Sequence, residues 1–100
     1  MRKIELQMVH NITSGQNWSQ ANTAITRAES EHDSIMNVYL HGNHIATIIG
    51  AAHGRDHWLV DVNIGTLRAF PTRTTMSRLR ALGADVCTCK GEVLLNGAVI

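Results

Sequence analysis

Residues 36–50, MNVYLHGNHIATIIG, constrain the fold more than any other stretch of this chain. Two apolar runs flank His41-Gly42-Asn43-His44, and alternating apolar runs on either side of a glycine-asparagine pair are the pattern of a two-stranded hairpin. A two-residue Gly42-Asn43 turn sets His41 opposite His44, Leu40 opposite Ile45, Val38 opposite Thr47 and Met36 opposite Ile49. In that register Met36, Val38, Leu40, Ile45 and Ile49 share one face, with Thr47 the polar exception. One apolar face fixes register, because a slip of one residue turns every side chain over. The stretch therefore predicts a β-hairpin with one face on a core.

The flanking segments supply what the hairpin packs against. Ile4, Met8 and Ile12 recur at spacings of four with Val9 alongside, which predicts an N-terminal helix, with a short edge strand as the alternative. Thr13 to Asn17 breaks it. Residues 23–29, TAITRAE, alternate weakly and read as an outer strand. Residues 57–63, HWLVDVN, read as a further strand with Trp58, Val60 and Val62 on one face, which LRAF, 67–70, extends after a break. PTRTTMSRLRALG, 71–83, predicts a helix over about 73–82. Pro71 stops the preceding element, Thr72 or Thr74 caps the first amides, Met76, Leu79 and Leu82 form one stripe, and Gly83 ends it. DVCTC, EVLL and AVI follow as strands joined at Lys90-Gly91 and Asn96-Gly97. The expected fold is α+β, a mostly antiparallel sheet of five or six short strands with one well-marked helix and a possible second at the N-terminus.

One hundred residues form a single domain, 1–100, large enough to bury its own core. Hydrophobic residues make up 44% and charged residues 17%, a globular balance. The net charge of +1 implies no global steering onto nucleic acid or a membrane. The single Phe and single Tyr are too few for a base-stacking platform. Cys87 and Cys89 are too close in sequence to bridge without strain, and two reduced thiols suit a reducing compartment. They read as small apolar groups in the core. Nothing at the N-terminus resembles a secretory leader, and no segment is apolar enough to span a bilayer. The expected compartment is the cytoplasm.

Six histidines raise the question of metal. In the predicted hairpin His41 and His44 face each other with Cβ atoms about 5 Å apart. His53 and His57 form a second pair, and Cys87 and Cys89 add thiolates. Zinc takes four such ligands in a structural site, but this order of pairs is not a ligand pattern, and the histidines read first as tolerated turn residues. No nucleophile elbow, P-loop or dinucleotide fingerprint occurs, so no enzyme and no cofactor is expected.

The arrangement of charge says more than its sum. No acid occurs between Asp61 and Asp85, while Arg68, Arg73, Arg78 and Arg80 all fall there. The threonine-rich lead adds hydroxyls at Thr74 and Thr75, and arginine suits bidentate contact with carboxylate or phosphate. These six residues are the expected binding surface, for an acidic protein surface or a nucleic-acid backbone. The alternative is a solvated helix face.

VYLHGNHIATI, followed by FPTRTTMSRLRALG, resembles a family of small accessory proteins encoded by tailed bacteriophages. The resemblance rests on Val38, Leu40, His41, Gly42, Asn43, Ile45 and Ala46, then on Thr72, Thr74, Thr75, Arg78 and Leu79, and spans about residues 17–83. AAHGRDHW and the C-terminal CTCKGEVLLNGAVI depart from its pattern. The resemblance names no reaction. It implies a phage product in the cytoplasm of the infected bacterium, and small non-structural phage proteins commonly bind a host factor. The function expected is a non-enzymatic inhibitor or modulator of a host protein or nucleoprotein complex, of anti-CRISPR or anti-restriction type. A small nucleic-acid-binding module and a metal-stabilised structural protein are the alternatives. A homodimer through a free sheet edge is also open.

Overall fold

The computed structural model describes residues 2–28, 34–50 and 58–100. Its elements run α1 (Lys3–Ser14), β1 (Trp18–Gln20), β2 (Thr23–Ala28), β3 (Ile35–Leu40), β4 (Asn43–Ile49), β5 (Leu59–Val62), α2 (Ile64–Ala69), α3 (Arg73–Ala81), β6 (Val86–Cys89), β7 (Glu92–Leu95) and β8 (Ala98–Val99). Strands β1 to β5 form one antiparallel sheet in sequence order, and β6 to β8 form a separate three-stranded antiparallel sheet. The fold is the α+β arrangement expected, with the strands divided between two sheets. Of the stretch 23–29, residues Thr23–Ala28 form β2, an interior strand between β1 and β3 rather than an outer one, and residue 29 lies outside the described residues. No helix among the described residues is long and apolar enough to cross a membrane.

The helices cover one face of the large sheet. Met8 and Ile12 of α1 and Met76, Leu79 and Leu82 of the α3 segment lie buried against Ile25, Met36, Val38, Leu40, Ala46 and Ile48. The α3 stripe and the Met8 and Ile12 positions of the α1 stripe are these core faces, while Ile4 is half-buried and Glu5 is the buried residue of the first turn. The Trp58 indole Nε1 donates to the Leu82 carbonyl at 2.9 Å, tying the start of β5 to the end of α3. Gly83, at φ +101°, ends that helix as its position after the last apolar residue predicts.

The hairpin departs from the expected register. The turn residues are His41 and Gly42, at φ +52° and +79°, so Leu40 pairs with Asn43 and Tyr39 with His44. A bulge follows at Ile45, and Val38 then pairs with Ala46, Asn37 with Thr47 and Met36 with Ile48. The extra residue resets which side chains face the helices. Ile45, Ala46 and Ile48 become buried, and Thr47 turns away. The register with Gly42-Asn43 as the turn would have aimed Thr47 at the core in place of Ala46 and left Ile48 outside. Burying an isoleucine side chain stabilises by about 1.5–3 kcal/mol, whereas a buried hydroxyl needs a partner.

Residues 67–70 do not extend the preceding strand. Leu67, Arg68 and Ala69 belong to α2, started by Asn63, whose side chain accepts from the Thr66 amide at 3.2 Å. Leu67 is buried, and Phe70, which leaves the helical backbone as the C-cap, is exposed. Pro71 disfavours helical backbone at Phe70 and separates α2 from α3. In the small sheet, Lys90-Gly91 and Asn96-Gly97 both have positive φ at the two central positions, the geometry of tight hairpins. Cys87 and Cys89 are exposed on β6, contrary to the core role expected of them, because Val86 takes the inward position of that strand.

A buried polar cluster joins α1, α3 and the sheet. Glu5 and Arg78 form an ion pair at 2.8 Å, each side chain only 3% exposed. The same Glu5 oxygen accepts from the Ser77 hydroxyl at 2.5 Å, and its other oxygen accepts from the Arg2 amide at the start of α1. Arg78 Nε donates to Thr23 Oγ1 at 3.0 Å and Nη2 to Asn22 Oδ1 at 3.4 Å, both at the head of β2. Burial pushes the Glu5 pKa up, but hydrogen bonds from Ser77, Arg78 and the Arg2 amide, with the charge of Arg78, outweigh it and hold the carboxyl below its ordinary value of 4.5.

Three outcomes follow for stability. Arg78→Ala leaves the Glu5 charge buried without its cation and lowers unfolding free energy by about 3–5 kcal/mol in urea titrations. A group whose folded pKa is depressed stabilises above its unfolded pKa, and that stability is lost as pH falls through the folded value. Midpoints measured from pH 7 down to 3 therefore fall below about pH 4.5 in the parent, and that part of the fall is absent in Glu5→Gln. Gly42→Val meets no atom within 4 Å but forces a β-branched residue to φ +79°; it costs about 1–3 kcal/mol, read as a lower thermal midpoint.

Candidate functional site

Helical phase decides which cations reach the surface together. Residues 73 and 80 are seven apart, two helical turns, and lie on one face of α3. Residue 78 lies about 140° around the helix from 73, at roughly 100° per residue, and faces the core. Arg73 and Arg80 are accordingly exposed, while Arg78 is buried on Glu5. The expected surface of four arginines is corrected on this point, since Arg78 is a structural cation and presents nothing to a partner. Arg68 is exposed on α2, apart from the other two.

Two of the threonines are also structural. Thr72 is the N-cap of α3, its hydroxyl oxygen accepting from the Thr75 amide at 3.2 Å. Thr75 is buried, and its hydroxyl is hydrogen bonded to that of Thr72 at 3.0 Å. Thr74 is half-buried. The cap accounts for Thr72 and Thr75, so Thr75 is corrected from a ligand donor to part of the helix start.

Arg73 and Arg80 meet a third cation that the arginine-rich segment did not reveal. Arg2, at the start of α1, joins them around a cleft of about 390 Å³ whose other lining residues are Pro71, Met76, Ser77 and Thr88. A smaller hollow bounded by Glu5, Ser77, Arg80 and Ala81 adjoins it and shares Ser77 and Arg80. Arg80 Nε donates to the Val86 carbonyl at 2.9 Å, which anchors the guanidinium against β6. Among the described residues no acidic side chain lines the main cleft. Glu5, which bounds the adjoining hollow, already has Arg78, Ser77 and the Arg2 amide as partners. The cleft is therefore a concave cationic site in which two arginines rest on α3 and one on α1. A guanidinium offers paired donors to a carboxylate or phosphate, which suits the site to an anionic group. Arg2 lies more than 70 residues from the others in sequence, so no local spacing could have found it.

The histidine and cysteine candidates do not assemble. His41 is an exposed turn residue, and His44 sits on β4 opposite Tyr39, so the two are not opposed as the Gly42-Asn43 turn implied. Both ring nitrogens of His44 have partners. Thr47 Oγ1 lies 3.0 Å from Nε2 and Asn63 Nδ2 3.3 Å from Nδ1. The Thr47 hydroxyl donates to Asn37 Oδ1 at 3.1 Å, and Asn63 Oδ1 accepts the α2 cap amide. Those two roles assign the proton of His44 to Nε2 and leave Nδ1 as an acceptor. His44 thus links β3 and β4 to the start of α2 and has no lone pair to spare for a metal. His53 and His57 lie outside the described residues. Among the described residues no three His, Cys, Asp or Glu side chains come together to hold a metal ion.

No curated protein and no solved structure matches the chain. One family model does, and it matches residues 1–98, nearly the whole sequence; the chain belongs to the Kyanoviridae Gp96 protein family, a family of phage proteins.

Proposed function

We propose that this phage protein is a small non-enzymatic binder that acts in the cytoplasm of the infected host. It modulates a host protein by holding an acidic segment of that protein in the arginine cleft. The observation that carries this reading is the convergence of Arg2, Arg73 and Arg80 on one concave site with no acid lining it among the described residues. The narrower form of the proposal, inhibition of a defence nuclease complex of anti-CRISPR or anti-restriction type, draws its support from membership of a phage family.

The cleft favours a compact anion on a protein over a nucleic-acid backbone. A duplex offers a charge about every 1.7 Å of its axis and rewards an extended basic surface. Here the net charge is only +1 and the cations bound one hollow of about 390 Å³. Arginines that anchor a partner carry a disproportionate share of binding energy.

The test is retention of host proteins on the tagged chain, with and without nuclease treatment of the lysate, compared across variants. One stoichiometric protein is expected on the parent after nuclease treatment. Its affinity for purified Arg73→Glu/Arg80→Glu protein is expected to fall about ten- to thirtyfold, and to be unchanged by Arg68→Glu. Recovery of nucleic acid alone, or equal retention by the Arg73→Glu/Arg80→Glu variant, would contradict the proposal.

A further inference from the structure

One edge of the large sheet carries a second surface. Among the described residues strand β5 pairs with β4 alone, with Ile49 opposite Leu59, Ile48 opposite Val60, Thr47 opposite Asp61 and Ala46 opposite Val62. The Asn63 amide donates to the Ile45 carbonyl at 2.9 Å, which fixes the alternation of the ladder. In an antiparallel pair, residues that exchange hydrogen bonds alternate with residues that do not. Asn63, Asp61 and Leu59 therefore direct their backbone groups at β4, and Val60 and Val62 direct theirs outward. Among the described residues the N–H and C=O groups of Val60 and Val62 have no backbone partner. They border a groove of about 330 Å³ between β5 and the Gly83–Asp85 and Leu95–Asn96 segments.

The face of the sheet away from the helices shows what such an edge would accept. Ala28, Ile35, Ile49 and Leu59 lie in one cross-strand row, and Thr26, Asn37, Thr47 and Asp61 in the next. The apolar row ends at Leu59, 71% exposed, and the polar row at exposed Asp61. The charged residues that line the groove are Asp61 and Asp85, with no lysine or arginine among the described lining residues.

We propose that β5 is a docking edge for an extended segment of another protein, which adds as a sixth antiparallel strand with an apolar residue opposite Leu59 and a lysine or arginine opposite Asp61. Strand addition of this kind draws affinity from main-chain hydrogen bonds and specificity from alternate side chains. The same geometry argues against a second copy of the chain. Pairing β5 with itself so that Val60 and Val62 of each copy exchange hydrogen bonds centres the two-fold on Asp61, and sets that carboxylate directly opposite its own symmetry mate. Like charges directly opposite are unfavourable in a sheet. This edge shares no lining residue with the arginine cleft, so the two proposals stand or fall separately.

The probe is an end-blocked hexapeptide, threonine-valine-lysine-valine-leucine-threonine, titrated into the full-length protein and followed by amide NMR and hydrogen exchange. Saturable binding with new exchange protection at the Val60 and Val62 amides is expected. Replacing the peptide's lysine by glutamate is expected to weaken binding about five- to tenfold, and Asp61→Arg in the protein reverses that preference. Val60→Pro removes an outward N–H on an edge strand, where proline is tolerated, and is expected to abolish binding. Should that variant fail to fold, Asp61→Arg decides alone. Absence of binding at millimolar peptide, binding indifferent to the lysine-to-glutamate exchange, or protection of Val60 and Val62 by a concentration-dependent homodimer would each overturn the proposal.

Discussion

Glu5 and Arg78 sit where three parts of the fold meet, and the rest of the arrangement depends on their pairing. One carboxylate closes the first turn of α1 through the Arg2 amide and receives Ser77 and Arg78 from α3. One guanidinium reaches from α3 to Asn22 and Thr23 at the head of β2. Two buried charges carry a desolvation cost that apolar residues would avoid, so the pair is not a simple source of stability. What it supplies is position. Apolar stripes let helices slide and rotate on a sheet with little penalty, whereas a buried carboxylate with three donors accepts one placement. That placement brings Arg2 beside Arg73 and Arg80. The site and the ion pair therefore share a cause, since the α3 phase that turns Arg78 inward is the phase that turns Arg73 and Arg80 out.

Much of the fold was legible because it follows local periodicity and turn chemistry. Met8 and Ile12 of the α1 stripe, the α3 stripe of Met76, Leu79 and Leu82, and the glycine turns at Lys90-Gly91 and Asn96-Gly97 need no long-range information. The hairpin at 36–49 was found, but its register was not. A bulge at Ile45 is a choice between faces, settled by whether Ile48 or Thr47 enters a core made by distant helices. Residues 67–70 failed for a related reason: a short apolar run reads equally as strand or helix, and Asn63 as a cap decides it.

The site was legible by half. An acid-free interval rich in arginine pointed at the right helix, and Arg73 and Arg80 do line the cleft. Composition could not tell an inward arginine from an outward one, because the partner of Arg78 lies 73 residues away. The phage origin that the hairpin and helix motifs implied agrees with the family to which the chain belongs. Two surfaces of opposite character emerge: a cationic hollow between α1 and α3, and an acidic sheet edge at β5. A chain of net charge +1 hides both in its sum.

The most direct test of this account is the coupling energy between Glu5 and Arg78. A double-mutant cycle of Glu5→Gln, Arg78→Gln and the pair, measured by urea unfolding at pH 7, isolates it from what each side chain does alone. A coupling of about 2–3 kcal/mol is predicted, with the double variant more stable than the two single losses would sum to. Additive losses, with coupling near zero, would show that the pair does not position the helices and would contradict the account.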